Sequence, residues 1–375
     1  MKQIILVNQV TGPMFIDMAN YFVETGYQVQ LITGQMEKTG KEINPLVKVV
    51  KFIKYKRNNA ISRIITWCMF FLQAWNYLKK EKTYTEVLLV SNPPLVPLLS
   101  YYLRKKKNLT FRILIYDIYP DVMEQFGYMS KKYSLSRWWR STNNKAYKNA
   151  SRLYTISNAM RNVLMQYAPF HRWEVIYPWV DTAFIQPIAK EINWFIKHHQ
   201  LEGKIVIQYS GNMGVTHDLM TILFVAKRLG NNPLYHFVFI GDGAEKQRLM
   251  DYASKHNLKN TLFLPFQAPE VFPYSISAAD IGIIPLNNEA ATLSIPSKTF
   301  YQMAAGNVLL CIADSSSELA KIVLENDCGK VISPSSVDEV DEFLKNITVS
   351  EINRFSKNSR KASCNFTNHN VNLFG

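Results

Sequence analysis

Residues 290–306 read AATLSIPSKTFYQMAAG and lie between two apolar runs, Ile281-Gly-Ile-Ile-Pro-Leu286 and Val308-Leu-Leu-Cys-Ile-Ala313. Both runs have the length and composition of buried parallel strands. Between them the polar residues give way at Pro296, Ser297 and Lys298 to a helical pattern that closes at Gly306. The stretch is therefore the turn and helix of a β-α-β unit. Ser297 is placed to cap the helix through its hydroxyl, and a capped helix start with a lysine beside it suits an anion. The plain alternative is an ordinary βα turn with an ordinary cap.

Working outward, the same alternation fills the second half of the chain. Strand-like runs occur at 205–209, 237–240, 262–264 and 330–332, with helical patterns between them. Two further glycine turns follow strands there, Ser210-Gly211-Asn212-Met213-Gly214 and Gly241-Asp242-Gly243. Glycine lets a phosphate approach the backbone, so three such turns on one sheet point to one phosphate-bearing ligand. Lys298 is placed to offset diphosphate charge, although a lysine is more often simply solvated.

The first half begins with Ile4 to Val7 as a buried strand, then Gly12-Pro13 and a helical run ending near Gly26. Val29 to Thr33 completes a β-α-β unit, and strands follow at 48–53, 86–90, 111–116, 152–156 and 174–177. Chemistry in such sheets sits at the carboxyl ends of the strands. Asp117 and Asp121, in Asp117-Ile-Tyr-Pro-Asp121, fall at such an end, where a turn or cap role is the simpler use of an aspartate. The polar segment after Gln186-Pro187 reads as an interdomain connection. The expected division is an N-terminal domain over 1–185, a C-terminal domain over 186–355, and a helical segment over 356–375 that returns to the first domain.

The chain has 375 residues and a formal charge of +14, which suits anionic partners such as a nucleotide or a lipid headgroup surface. Cys68, Cys311, Cys328 and Cys364 are scattered, without a CxxC pair. That spacing implies a reducing cytosol and neither a disulfide frame nor a zinc site. Histidines form no HxxxH or HExxH pair, so no metal site is expected, and His217 reads as a polar first-turn residue near the phosphate loop. No DxD, GxSxG or Walker motif occurs. The apolar run after Met1 is too short for a signal peptide, and no run is long enough to span a bilayer.

Residues 61–80 are unusual, because no residue between Arg63 and Lys79 is charged. The run is either a core helix or a helix lying at a membrane interface with basic ends. Trp67 and Phe70 are the side chains expected to enter the membrane in the second case. A second basic and aromatic stretch, residues 131–152 with Trp138 and Trp139, suits either an acidic lipid surface or a solvated helix.

The combination resembles the GT-B glycosyltransferases of the family 4 type along nearly the whole chain. The resemblance rests on YSGNMGVTHDL at 209–219, FIGDGAEKQRL at 239–249, SAADIGIIPL at 277–286 and PSKTFYQMAAG at 296–306. Tyr177-Pro-Trp-Val-Asp181 is similar to the family's junction segment. GNMG, HDL and PSK are similar to the fucosamine-transferase-like subgroup, which builds bacterial surface polysaccharide such as capsule or O-antigen. The stretch IYDIYPD at 115–121 resembles that subgroup's RDLWPE segment. Such a fold has two Rossmann-like domains facing a central cleft.

The resemblance implies a retaining, metal-independent transferase of the hexosyl or N-acetylhexosaminyl type. Asn212, Gly214 and Gly241 would lie near the phosphates of a nucleotide-sugar, a UDP-sugar. Phe266 and Gln267 would lie near the base, and Ser297, Lys298 and Thr299 at the diphosphate. Gly12 would lie on the facing domain. Asp117 would orient the acceptor hydroxyl or take its proton. The acceptor would be a polyprenyl-diphosphate-linked saccharide, met by a cytoplasmic protein held peripherally at the anionic inner face of the cell membrane. The family's glutamate pair is missing. Aligned on Ala304-Ala305-Gly306, its members fall at Leu293 and Tyr301, with Glu289 four residues too early, and the donor-loop Arg and Lys fall at Asn212 and His217. A non-catalytic partner subunit of the same fold and a sugar-nucleotide epimerase are the alternatives, with a nucleic-acid binder least favoured.

Overall fold

The structure, a computed structural model, describes residues 2–37, 40–56, 59–106, 108–169, 172–214, 217–287, 293 and 295–375. Among these, the chain divides into two compact units. One holds residues up to Tyr177 together with Leu293 and Asn368–Gly375. The other runs from Pro178 to Thr367 apart from Leu293. The division falls before the expected boundary at 185. The helix Val349–Ser363 stays with the second unit, where the Ser359 hydroxyl donates to the Asn307 carbonyl at 2.7 Å. Only the last turn, Asn368–Phe374, packs on the first unit, with the Phe374 ring 4.8 Å from Tyr154.

The strands of the first unit are β1 (Lys2–Val7), β2 (Val10–Thr11), β3 (Tyr27–Thr33), β4 (Gln35–Met36), β5 (Lys48–Lys51), β6 (Glu86–Val90), β7 (Thr110–Ile115), β8 (Arg152–Thr155) and β9 (Trp173–Val175). Seven of them form one sheet in the order β5-β3-β1-β6-β7-β8-β9, and β2 pairs separately with β4. All pairings in the main sheet are parallel. Leu88 and Ile113 are fully buried, as expected of strands covered by helices on both faces. The order turns back between β1 and β6, so the loops after these strands flank the crevice of this sheet.

The second unit contributes β10 (Ile205–Ser210), β11 (Tyr235–Ile240), β12 (Thr261–Leu264), β13 (Ile281–Pro285), β14 (Val308–Ile312) and β15 (Gly329–Ile332). They form one sheet ordered β12-β11-β10-β13-β14-β15, parallel throughout. Its switch point lies between β10 and β13, and residues 211–214 and 295–298 follow those two strands.

The apolar run 61–80 is a helix, Ala60–Lys80, capped by the Asn59 side chain on the Ser62 amide. It has two apolar faces. Thr66, Phe70, Ala74 and Leu78 recur every fourth residue and are buried against the first unit. Ile61, Ile64, Ile65, Met69 and Leu72 are exposed on the opposite face. The helix is thus core on one side and open on the other. Phe70 is a core residue at 0% exposure, which corrects the expectation that it reaches a membrane. Trp67 is half-buried, stacked 6.2 Å from Tyr55 and edge-on to Tyr119. No helix among the described residues is long and apolar enough to cross a membrane.

Candidate active site

The site of the second unit is built on contact between two glycine loops. Gly211, Gly241 and Gly243 have φ of 149°, 139° and 153°, which side chains rarely adopt. A Cβ on Gly241 would meet the Gly211 carbonyl at 1.9 Å, and one on Gly243 would meet the Met213 carbonyl at 2.4 Å. The loops are then stitched by the Met213 amide donating to the Asp242 carbonyl at 2.7 Å and the Glu245 amide to the Met213 carbonyl at 3.0 Å.

Tyr209, the buried penultimate residue of β10, lies beneath this pair of loops. Its hydroxyl donates to the Asn212 carbonyl and accepts from Lys298 Nζ at 2.8 Å. The ammonium also lies 4.1 Å from the centre of the Tyr209 ring. His217 Nδ1 contacts the same Asn212 carbonyl at 2.7 Å. Burial brings the Lys298 amine down to about 7. Burial, then the neighbouring Lys298 charge, lowers His217 to about 4. The result is a pocket of weakly held positive charge under a glycine loop, suited to an anion that supplies the missing counter-charge.

The other expected donor residues take distinct places. Gly214 adjoins Asn212 Nδ2, which would lie 2.8 Å from a Cβ there. Phe266 is exposed and its ring edge borders Gly241, while the Gln267 side chain bonds back to the Pro265 carbonyl at 2.8 Å. Ser297 does not cap its helix. Its backbone is already helical (φ −59°, ψ −26°), whereas a cap needs an extended backbone to fold its hydroxyl over the first amides. The helix Lys298–Ala304 instead opens with the Thr299 amide bonded to the Pro296 carbonyl. Thr299 is fully buried, with no partner for its hydroxyl among the described residues. Leu293 is buried too, and Tyr301 packs edge-on to Phe272, so neither glutamate position carries a carboxylate. Glu289 lies outside the described residues.

In the first unit, Gly12 precedes the helix Pro13–Glu24, and a Cβ there would stand 3.0 Å from Glu37 Oε2. Asp117 follows β7. Its amide and that of Tyr116 donate to the Ser91 hydroxyl at 3.2 and 2.8 Å, which ties the ends of β6 and β7 together. Burial pushes the Asp117 carboxyl up to about 6. Asp121, by contrast, is paired with Arg140 at 2.9 Å and accepts from Tyr167, so it is a structural anion. Among the described residues, no three His, Cys, Asp or Glu side chains are grouped to hold a metal ion.

Residues 13–184 match the family described as Glycosyltransferase Family 4, and residues 191–362 match Glycosyl transferases group 1. The chain carries the paired domains of a GT-B glycosyltransferase. It is 26% identical over 352 residues to the probable glycosyltransferase WbjE of Pseudomonas aeruginosa, covering 85% of this chain and 86% of that one. It is 28% identical over 178 residues to the putative colanic acid biosynthesis glycosyl transferase WcaI of Escherichia coli, covering 46% of this chain and 43% of that one. Its fold is shared with Anabaena Alr3699/HepE in complex with UDP-glucose, at a TM-score of 0.73 and 14% identity, covering 100% of this chain and 98% of that one.

Two residues that hold these candidate sites together were not legible as such. Tyr209 reads as one more apolar strand residue, and only the need of a buried phenol for a partner hints otherwise. Ser91 reads as the start of a proline turn. Both act across the sheet, on residues distant in sequence.

Proposed function

We propose that the glycosyltransferase moves a sugar, with retention of configuration and without a metal, from a UDP-sugar to a lipid-linked saccharide in surface polysaccharide synthesis. The observation that carries this is the half-buried Lys298, its amine without a carboxylate partner among the described residues, beside touching glycine loops at the switch point of the second sheet. A diphosphate satisfies both features, because it takes backbone amides and supplies negative charge. Phe266 offers an exposed ring beside Gly241 for the base. WcaI's place in colanic acid biosynthesis supports the polysaccharide context, and HepE's complex with UDP-glucose supports the donor class.

Asp117 is the candidate for orienting the acceptor hydroxyl or taking its proton. The exposed apolar face of the Ala60–Lys80 helix, ending in Lys79 and Lys80, is the candidate contact with anionic lipid at the inner face of the membrane. Leu293 and Tyr301, where the family has glutamates, favour one other reading, a partner subunit that keeps the fold without turnover. A thermal-shift panel of UDP, GDP, ADP and their sugars tests the proposal. A rise in melting temperature with UDP or a UDP-sugar supports it, and no shift with any nucleotide moves the reading to the partner subunit.

A further inference from the structure

We propose that Lys246 is a second binding cation of the donor site and meets the donor diphosphate at its nucleoside-side phosphate, while Lys298 serves the sugar-side one. This rests on the donor reading above and names a further residue of that site.

The first glycine turn, residues 210–214, carries no lysine or arginine. The diphosphate of a nucleotide-sugar bears one negative charge on each phosphate, and Lys298 answers one of them. Lys246 is the first residue of the helix Lys246–Lys255, which follows the second glycine turn. It is half-buried, and its Nζ donates to the Gly241 carbonyl at 2.9 Å. An ammonium has three N–H donors, and this contact uses one. The carboxylates of the same turn are engaged elsewhere. Asp242 accepts from the Gly243 amide at 2.9 Å, and Glu245 pairs with Arg248 at 2.9 Å. A cation in the first turn works against the helix dipole, so the needs of the helix do not account for a lysine there.

The two lysines lie at the ends of one chain of contacts. Lys298 Nζ stands 3.1 Å from where a Gly211 Cβ would be. The Gly211 carbonyl stands 1.9 Å from where a Gly241 Cβ would be, and the Gly241 carbonyl is bonded to Lys246. The Phe266 ring edge, Cε1, is 3.4 Å from that same Gly241 Cβ position. Lys246 therefore shares Gly241 with the ring offered to the base, whereas Lys298 adjoins Gly211 on the neighbouring loop. A nucleotide stacked on Phe266 brings its first phosphate to the Gly241 side and its second to the Gly211 side. Lysine is a compact charge on a flexible stem, so its amine can keep the carbonyl and take a phosphate oxygen with its remaining donors.

The test is calorimetric titration of UMP and UDP into the full chain at pH 7.5. Lys246→Gln removes the charge and retains an N–H donor for the Gly241 carbonyl. It should weaken UMP and UDP alike, by about ten- to a hundredfold, the worth of a hydrogen bond to a charged group. Lys246→Arg keeps the charge and should recover most of that loss. Lys298→Met should weaken UDP by a larger factor than UMP. Melting temperatures of the Lys246 variants without nucleotide should match the wild type. Should Lys246→Gln fail to fold, Lys246→Arg against Lys246→Met carries the same comparison.

Wild-type affinity in Lys246→Gln overturns the proposal and leaves the donor site standing, with Lys246 a brace on the Gly241 carbonyl. A loss that Lys246→Arg does not recover overturns it as well, and so does a loss for UDP that leaves UMP untouched. Failure of the wild-type chain to bind UDP, GDP and ADP alike overturns the donor reading itself and the proposal with it.

Discussion

Replacing Ile64, Ile65 and Leu72 together with serine should release the glycosyltransferase from anionic vesicles without unfolding it. These side chains are 51%, 51% and 48% exposed, the equivalent of about one and a half full side chains available to a second phase. Full burial of such a side chain is worth roughly 1.5–3 kcal/mol, so their insertion contributes about 2–4 kcal/mol. That corresponds to a partition coefficient roughly thirty- to a thousandfold lower in the variant. The basic end of the helix, Lys79 and Lys80, adds about 1 kcal/mol for each cation near an anionic surface, which salt removes. The assay is co-sedimentation with vesicles of phosphatidylglycerol and phosphatidylethanolamine against neutral phosphatidylcholine, at two salt concentrations, with thermal melts in parallel. Each of the three side chains is also about half packed, so each change should cost roughly 1 kcal/mol of folding stability, which the parallel melts report. Phe70→Ser is the opposite control. Its ring is fully buried, so its loss should cost about 3–5 kcal/mol and unfold the domain, which says nothing of membranes. A triple variant that sediments as well as the wild type would refute the reasoning.

Further expectations follow from the two sheet ends. Asp117→Asn should lower turnover by about a hundredfold, while in the wild type turnover should fall as pH drops below about 6 and the carboxyl takes up its proton. The stability effect has the other sign. A carboxyl raised from 3.8 to about 6 stabilises the fold below the lower value, and that contribution is lost as pH rises through the upper one. Asp117→Asn should therefore melt no lower than the wild type at pH 7.5. Gly241→Ala should cost at least about 2 kcal/mol in urea unfolding and abolish UDP protection, since its φ of 139° and the Gly211 carbonyl at 1.9 Å leave no room for a methyl. Lys298→Ala should weaken UDP binding and cut turnover, measured by titration and by donor consumption, and unchanged affinity would remove Lys298 from the site.

Much of the architecture was written in local pattern. Runs such as Ile281–Pro285 and Val308–Ile312 are apolar on both faces, which is sufficient to define buried parallel strands, and strand ends define where loops meet a ligand. Gly211, Gly241 and Gly243 were legible as turn glycines, because they follow strands where the backbone turns tightly. Lys298 was legible as a helix start from its place in PSK. The sequence could not say which face of the 60–80 helix is core, since apolar residues cover both and only packing separates Phe70 from Ile65. It could not say that Ser297 enters the helix without capping it, because that depends on backbone angles fixed by β13 and the following helix. Nor could it distinguish Asp117 from Asp121. Their difference is the Arg140 guanidinium, supplied by a helix well along the chain. The Tyr209, Asn212, His217 and Lys298 group shows the same limit. Three of its members are neighbours in sequence, and the fourth reaches them only because β10 and β13 are adjacent in the sheet. Local periodicity determined the elements and the glycine turns. Tertiary pairing alone decided which buried charges found partners, because the energy of a buried charge depends on what lies within a few ångströms of it in space.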